Sequence, residues 1–167
     1  MIARAGRIYI QGLIATEVLL LWATIAIHLG VLCGGIALYD KYHEILGAAV
    51  IVVSGSSFAF KRKGVGLMTQ IRTCPQWMWK SALVIASYGI LTSVTLVIFP
   101  PNNVFASSFV GSGFPLGFEA IPLCILYSAL RHSRNDGSEL IRSTVVSLLF
   151  IGCGIIWATT THQIAIR

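Results

Sequence analysis

Two acidic residues lie inside long apolar stretches, where acids are costly to keep. Glu17 ends the string "IYIQGLIATE" at residues 8–17, and Glu119 sits in "GFEAIP" at residues 117–122. A charge at the centre of a bilayer costs at least ~2.5–3.5 kcal/mol, so an ionisable group at that depth is a candidate for carrying a proton or a cation. Both acids also have a plainer reading. If the first span starts near Gly12, Glu17 lies about one and a half turns from the inner interface. It can then point back to the headgroups, or pair with Arg7 or a basic residue of the 61–80 loop. Glu119 can be a charge at an ordinary helix start, or a carboxylate held by backbone groups that the neighbouring glycines and Pro122 leave free.

The histidines are the other side chains with ligand chemistry. His28, His43 and His162 fall on one side of the threading given below, and His132 on the other. Haem needs two axial ligands at matched depth, and copper or zinc needs two or three converging imidazoles. No pair has ligand spacing within one helix, so no cofactor is expected, and a haem or metal on the outer His28, His43 and His162 is a secondary alternative. Cys33, Cys74, Cys124 and Cys153 lack any C-x-x-C spacing and read as unpaired thiols. G-x-S-x-G, HExxH and phosphate-loop patterns are all absent.

The elements that hold these residues follow from composition. Of 167 residues 56% are hydrophobic and 11% charged, and the mean hydropathy is +0.81. That leaves too little polar surface to coat a water-soluble globule, and the expected class is an all-α, polytopic membrane helix bundle forming one domain over 1–167. Five stretches approach the roughly 20 residues needed to cross about 30 Å of hydrocarbon, at about 12–38, 45–60, 81–99, 106–130 and 143–163. The second is short, and must thin the bilayer or begin nearer Tyr42. The fourth holds Pro115 and Pro122, which kink or interrupt helices, so a re-entrant segment and a four-span count are the alternative. Arg4 and Arg7 precede an apolar run about twice the 7–15 residues of a signal peptide, which reads as a retained helix.

Charge sets the orientation. With the N-terminus on the cytoplasmic side, Arg4, Arg7, Lys61, Arg62, Lys63, Arg72, Lys80, Arg131, Arg134 and Arg142 all face it, and only Lys41 and Arg167 face the other. The net charge of +6 therefore reports membrane topology, not nucleic-acid binding. "YDKYHE" at 39–44 and "PPNN" at 100–103 read as short outer turns. The inner loop, "KRKGVGLMTQIRTCPQWMWK", is basic at both ends with an aromatic anchor, and is expected to lie along an anionic leaflet. Gly30 with Gly34, and Gly113 with Gly117, have the spacing that lets helix backbones approach.

Residues 8–18, "IYIQGLIATEV", resemble the start of the first helix in the small multidrug resistance transporters. That resemblance implies Glu17 as a proton- and cation-coupling acid, with Tyr9 lining its pocket. The match ends at Val18, since that family has four spans and a shorter chain. "CGGIALYDKYHEILGAAVIVVSG" followed by "KRKG" is similar in layout to the light chain of the phagocyte NADPH oxidase, a non-catalytic partner of a haem-bearing subunit, although the proline-rich tail is missing and a fifth span is added. The leading expectation is a non-catalytic integral subunit or accessory protein of a larger membrane complex, with other integral subunits or a second copy as partners. The alternative is a small proton- or cation-coupled transporter or channel using Glu17 and Glu119. A membrane enzyme built on those acids and the outer histidines is the third reading.

Overall fold

The first apolar stretch does not run on to residue 38. It ends in a glycine turn, where Gly34 takes φ +86°, its N–H donates to Val31 O at 2.9 Å, and Gly35 N–H donates to Gly30 O at 2.8 Å. These are the paired bonds of a Schellman cap, which needs a left-handed residue and so favours glycine. The computed structural model, describing residues 2–98, 103–113, 115–132 and 137–165, thus has α1 at Ile2–Leu32 and α2 at Ile36–Ser57, the latter extended by a 3₁₀ turn at Phe58–Phe60. The expected outer turn at 39–44 is instead the first part of α2. That resolves the shortness of the second span, because 22 residues rise about 33 Å.

After a short α3 (Leu67–Ile71) come α4 (Gln76–Ile98), α5 (Val104–Gly113), α6 (Leu116–His132) and α7 (Gly137–Ala165). All secondary structure among the described residues is helical. Four stretches are long and apolar enough to cross a membrane: Arg4–Leu32, Tyr39–Phe60, Val104–His132 and Gly137–Thr160. Asn103 caps α5 by accepting Ala106 N–H on its side-chain oxygen at 2.7 Å. The break expected in the fourth stretch falls at Pro115, whose carbonyl accepts the N–H groups of Phe118 and Glu119 as α6 begins. Pro122, by contrast, lies within α6 without ending it.

On α1 the buried positions Gly6, Ile10, Leu13, Glu17, Thr24, Ile27 and Val31, with half-buried Leu20, alternate three and four residues apart. That spacing makes a coiled-coil-like seam. The opposite face is also apolar, with Ile8, Leu19, Trp22 and Leu29 exposed, as expected of a helix whose outer face meets lipid and not water. Helix α6 is central and touches α1, α2, α4 and α5, while α7 lies against α1 and α2. At the crossing of α4 and α6 the backbones nearly touch: a Cβ on Gly89 would lie 2.5 Å from Gly117 Cα.

The 61–80 loop is partly folded inward, and its last residues open α4. Gln70, Ile71 and Cys74 are buried, folded under the end of α6. Gln70 bridges the loop, accepting Arg62 N–H at 2.9 Å and donating to Phe60 O at 3.2 Å. Thr73 Oγ1 donates to Ser128 Oγ at 2.9 Å, and Arg131 donates to Thr73 O at 3.2 Å. Lys61 and Lys63 stay exposed.

Candidate functional site: two carboxylates in the bundle core

Both acids leave the lipid and headgroup surfaces entirely, at 0% exposed. Glu17, on the seam of α1, meets the polar stretch "SGSS" of α2. Ser54 Oγ donates to its Oε2 at 3.0 Å and Ser57 Oγ to its Oε1 at 3.1 Å. The placement of Glu17 at the headgroups or beside Arg7 therefore fails, because α2 covers this face; the buried Arg7 Nε has no hydrogen-bond partner. Ser57 Oγ is also 3.1 Å from Val53 O. Its single proton thus has two acceptors at equal distance, the carboxylate and the α2 backbone.

Glu119 enters the core because the break at Pro115 lets α6 restart with this residue in its first turn. Thr24, seven residues from Glu17 on the same seam, donates to Glu119 Oε1 at 2.9 Å. Oε2 is buried with no hydrogen-bond partner. The groups holding Glu119 are thus a side chain of α1, not freed backbone of its own segment. Among the described residues the hydrogen bonds to both carboxylates come from hydroxyls, not from cations. Glu17 and Thr24, the donor that holds Glu119, stand roughly two helical turns apart on the α1 seam, or about 10 Å along the helix.

The polar core continues through His28, four residues beyond Thr24. Its Nδ1 lies 2.8 Å from Ser112 Oγ and its Nε2 2.7 Å from Tyr88 Oη, and its ring stacks on Phe109 at 4.6 Å between centroids. Ser112 directs its own proton to Phe109 O at 3.0 Å. That leaves Ser112 to accept from His28 Nδ1–H, and a neutral His28 ring then accepts Tyr88 O–H at Nε2. A cleft of about 170 Å³ between α1, α2 and α5 is lined by Thr24, Tyr39, His43, Gly47 and Ser112, among others. It is walled by the same two hydroxyl residues that hold Glu119 and His28.

The other candidates separate. His43 is exposed and bonded to Tyr39 O at 2.9 Å, and the side chain of His162 lies outside the described residues. Among the described residues no group of three or more His, Cys, Asp or Glu side chains is placed to hold a metal ion. Tyr9 points to α7, with its hydroxyl 2.9 Å from Ser147 Oγ. Gly34 belongs to the turn, and a Cβ on Gly30 would meet nothing within 4 Å, so within this chain the pair marks the end of α1 and packs against no other helix. Gly113 does lie against neighbours, with Thr92 Cγ2 at 3.1 Å and His28 Cε1 at 3.4 Å from where a Cβ would be. Gly117 lies against Gly89.

Ser54, Ser57, Thr24, Ser112, Tyr88 and Gly89 are site residues that reading the sequence for charge alone passes over. The signal for part of them was present: Glu17, Thr24 and His28 stand at i, i+7 and i+11, one face of one helix. These features define an all-helical bundle with four membrane-length helices and an ionisable core. No protein-family model, curated protein or solved structure matches the chain, so the two local resemblances rest on their own residues.

Proposed function

We propose that this chain is a small proton- or cation-coupled membrane transporter or channel in which Glu17 and Glu119 carry the coupling charge. The observation that supports this most is that both carboxylates, Glu17 on the α1 seam and Glu119 of α6 bonded to that seam through Thr24, are fully buried and held by hydroxyls without a cation. An accessory subunit can leave its acids at the interface or neutralise them with Lys or Arg, whereas a coupling acid must be able to gain and lose its own counter-charge. The serine shell of Glu17 suits that task. Ser57 donates to the carboxylate when it is ionised, and turns to Val53 O when the acid is protonated, so neither state strands a buried polar group. The cleft beside Thr24 has room for a few waters and is smaller than the ~300 Å³ at which drug-sized sites begin. A proton or small inorganic cation fits it better than a bulky organic one.

The topology belongs to the same proposal. Residues 81–98 of α4 contain no charged side chain, and counting them as a fifth span puts the N-terminus, the 61–75 segment and the α6–α7 connection on the cytoplasmic side. In liposomes containing the purified protein and a trapped pH dye, an imposed potential is expected to drive proton entry, and Glu17→Gln and Glu119→Gln to abolish it. Proton flux equal to that of empty liposomes, tested with sodium and potassium gradients as well, overturns the proposal.

A second reading, an integral subunit of a larger complex, is favoured by α7. Only 11% of its membrane-length window is buried against the rest of the chain, leaving a long face for another integral protein or a second copy. A stoichiometric partner retained in mild detergent and resolved by native mass spectrometry supports it, and a monomer opposes it.

A further inference from the structure

At the loop end of the bundle, the segment after α2 and the start of α7 enclose a cleft of about 640 Å³. Lys61 and Lys63 supply cations from one side and Arg142 from the other, with the Ser138 and Ser143 hydroxyls in the same wall. One carboxylate is present, Glu139, whose Oε1 accepts Lys63 N–H at 3.4 Å. Three cations against one carboxylate leave the cleft with two net positive charges. All three basic side chains are exposed, so what gathers them is the fold, which brings residues about eighty positions apart to one place.

The wall does not end in polar groups. Val146 belongs to the cleft and is 48% exposed, and the exposed apolar side chains Val145 and Leu149 continue along α7. A ligand seated here thus meets cations and hydroxyls at one end and an apolar ridge at the other. A soluble anion uses only the first of these, whereas a lipid uses both, placing its phosphate among the basic residues and an acyl chain along α7. Basic pockets between helices at the cytoplasmic side suit anionic headgroups in this way. We infer that this cleft is a specific site for an anionic phospholipid, with Lys61, Lys63 and Arg142 holding its phosphate and Val146 guiding its chain.

The test uses the full chain extracted from vesicles of phosphatidylcholine mixed with phosphatidylglycerol, followed by native mass spectrometry. One phosphatidylglycerol per chain is expected to survive extraction, and Lys61→Gln/Lys63→Gln/Arg142→Gln to reduce that adduct about tenfold. Arg72→Gln/Lys80→Gln, which removes charges of the same 61–80 loop outside the cleft, should leave the adduct intact. Equal retention of the two lipids overturns the inference. So does equal loss in both variants, which would mean diffuse attraction to the leaflet. Displacement of the adduct by millimolar glycerol phosphate would assign the cleft to a soluble phosphate and refute the lipid.

Discussion

Replacing Gly89 by alanine tests the closest approach in the bundle, and the cost can be worked from the geometry. The added Cβ would lie 2.5 Å from Gly117 Cα and closer still to Gly117 N. Both are backbone atoms of α6, so no side-chain rotation relieves the clash and the two helices must separate. Overpacking of this kind costs about 1–3 kcal/mol, and the upper end applies where backbone has to move; alanine's better helix propensity returns at most about 1 kcal/mol. A net loss of roughly 2 kcal/mol, or a fall in Tm of about 4–8 °C, is expected in a detergent thermal-unfolding assay. The reverse change is milder. A Cβ on Gly117 would meet Gly89 Cα at 3.3 Å and Ala86 O at 3.5 Å, contacts that shifts of a few tenths of an ångström accommodate, so Gly117→Ala should cost well under half as much. Gly12→Ala, with nothing within 4 Å of the new atom, should be neutral or stabilising. Since Tyr88 adjoins Gly89 and holds His28, Gly89→Ala should also perturb the polar core. Equal Tm losses for Gly89→Ala and Gly117→Ala, or no loss for either, would refute the crossing geometry.

Ser54→Ala/Ser57→Ala strips both donors from Glu17 and is expected to lower stability by about 1–3 kcal/mol or more. Adding Glu17→Leu should restore most of it while leaving flux absent, because an apolar group in a fully apolar setting strands nothing; denaturation curves and the liposome assay on the same samples check this. Gln70→Leu removes the bridge between Phe60 O and Arg62 N–H and should cost about 1–3 kcal/mol, read as earlier melting and faster proteolysis within 61–75. A membrane-impermeant maleimide added outside intact cells should modify Cys33, which is exposed at the α1–α2 turn, but neither Cys74 nor Cys124, which are buried; labelling of Cys33 only from the inside would invert the proposed orientation. Burial pushes the Cys74 thiol up, and the thiolate is the reactive form. Its alkylation in permeabilised cells should therefore begin at higher pH than that of an unperturbed thiol, and a normal pH profile would contradict its burial.

The all-helical class and the presence of membrane-length apolar helices could be read from composition and hydropathy, because long apolar runs separated by charge have few other solutions. Local chemistry was harder to place. Gly30 and Gly34 have the spacing of a packing motif, yet Gly34 with Gly35 forms the stop of α1, and only backbone geometry separates a glycine chosen for closeness from one chosen for positive φ. Glu17 was visible as an acid in an apolar run. Its setting was not, since the donors lie on a different helix, thirty-seven and forty residues away, and nothing local links "TEV" to "SGSS". The same is true of Thr24 and Glu119, ninety-five residues apart.

The two ends of the bundle differ, and the difference bears on how a buried charge could be reached. At the loop end, Gln70, Ile71 and Cys74 fold inward under α6, with Cys74 Sγ donating to Cys124 O at 3.3 Å and Thr73 tied to Ser128, which covers the core from that side with packed side chains. Toward the glycine turn, Thr24 and Ser112 stand between the small cleft and the core, one bonded to Glu119 and the other to His28. On the proposed reading Glu119 is thus the acid that exchanges with the turn side, through a single hydroxyl. Glu17, two turns along α1 from Thr24 and served by Ser54 and Ser57 near the end of α2, is on that reading the acid nearer the loop end.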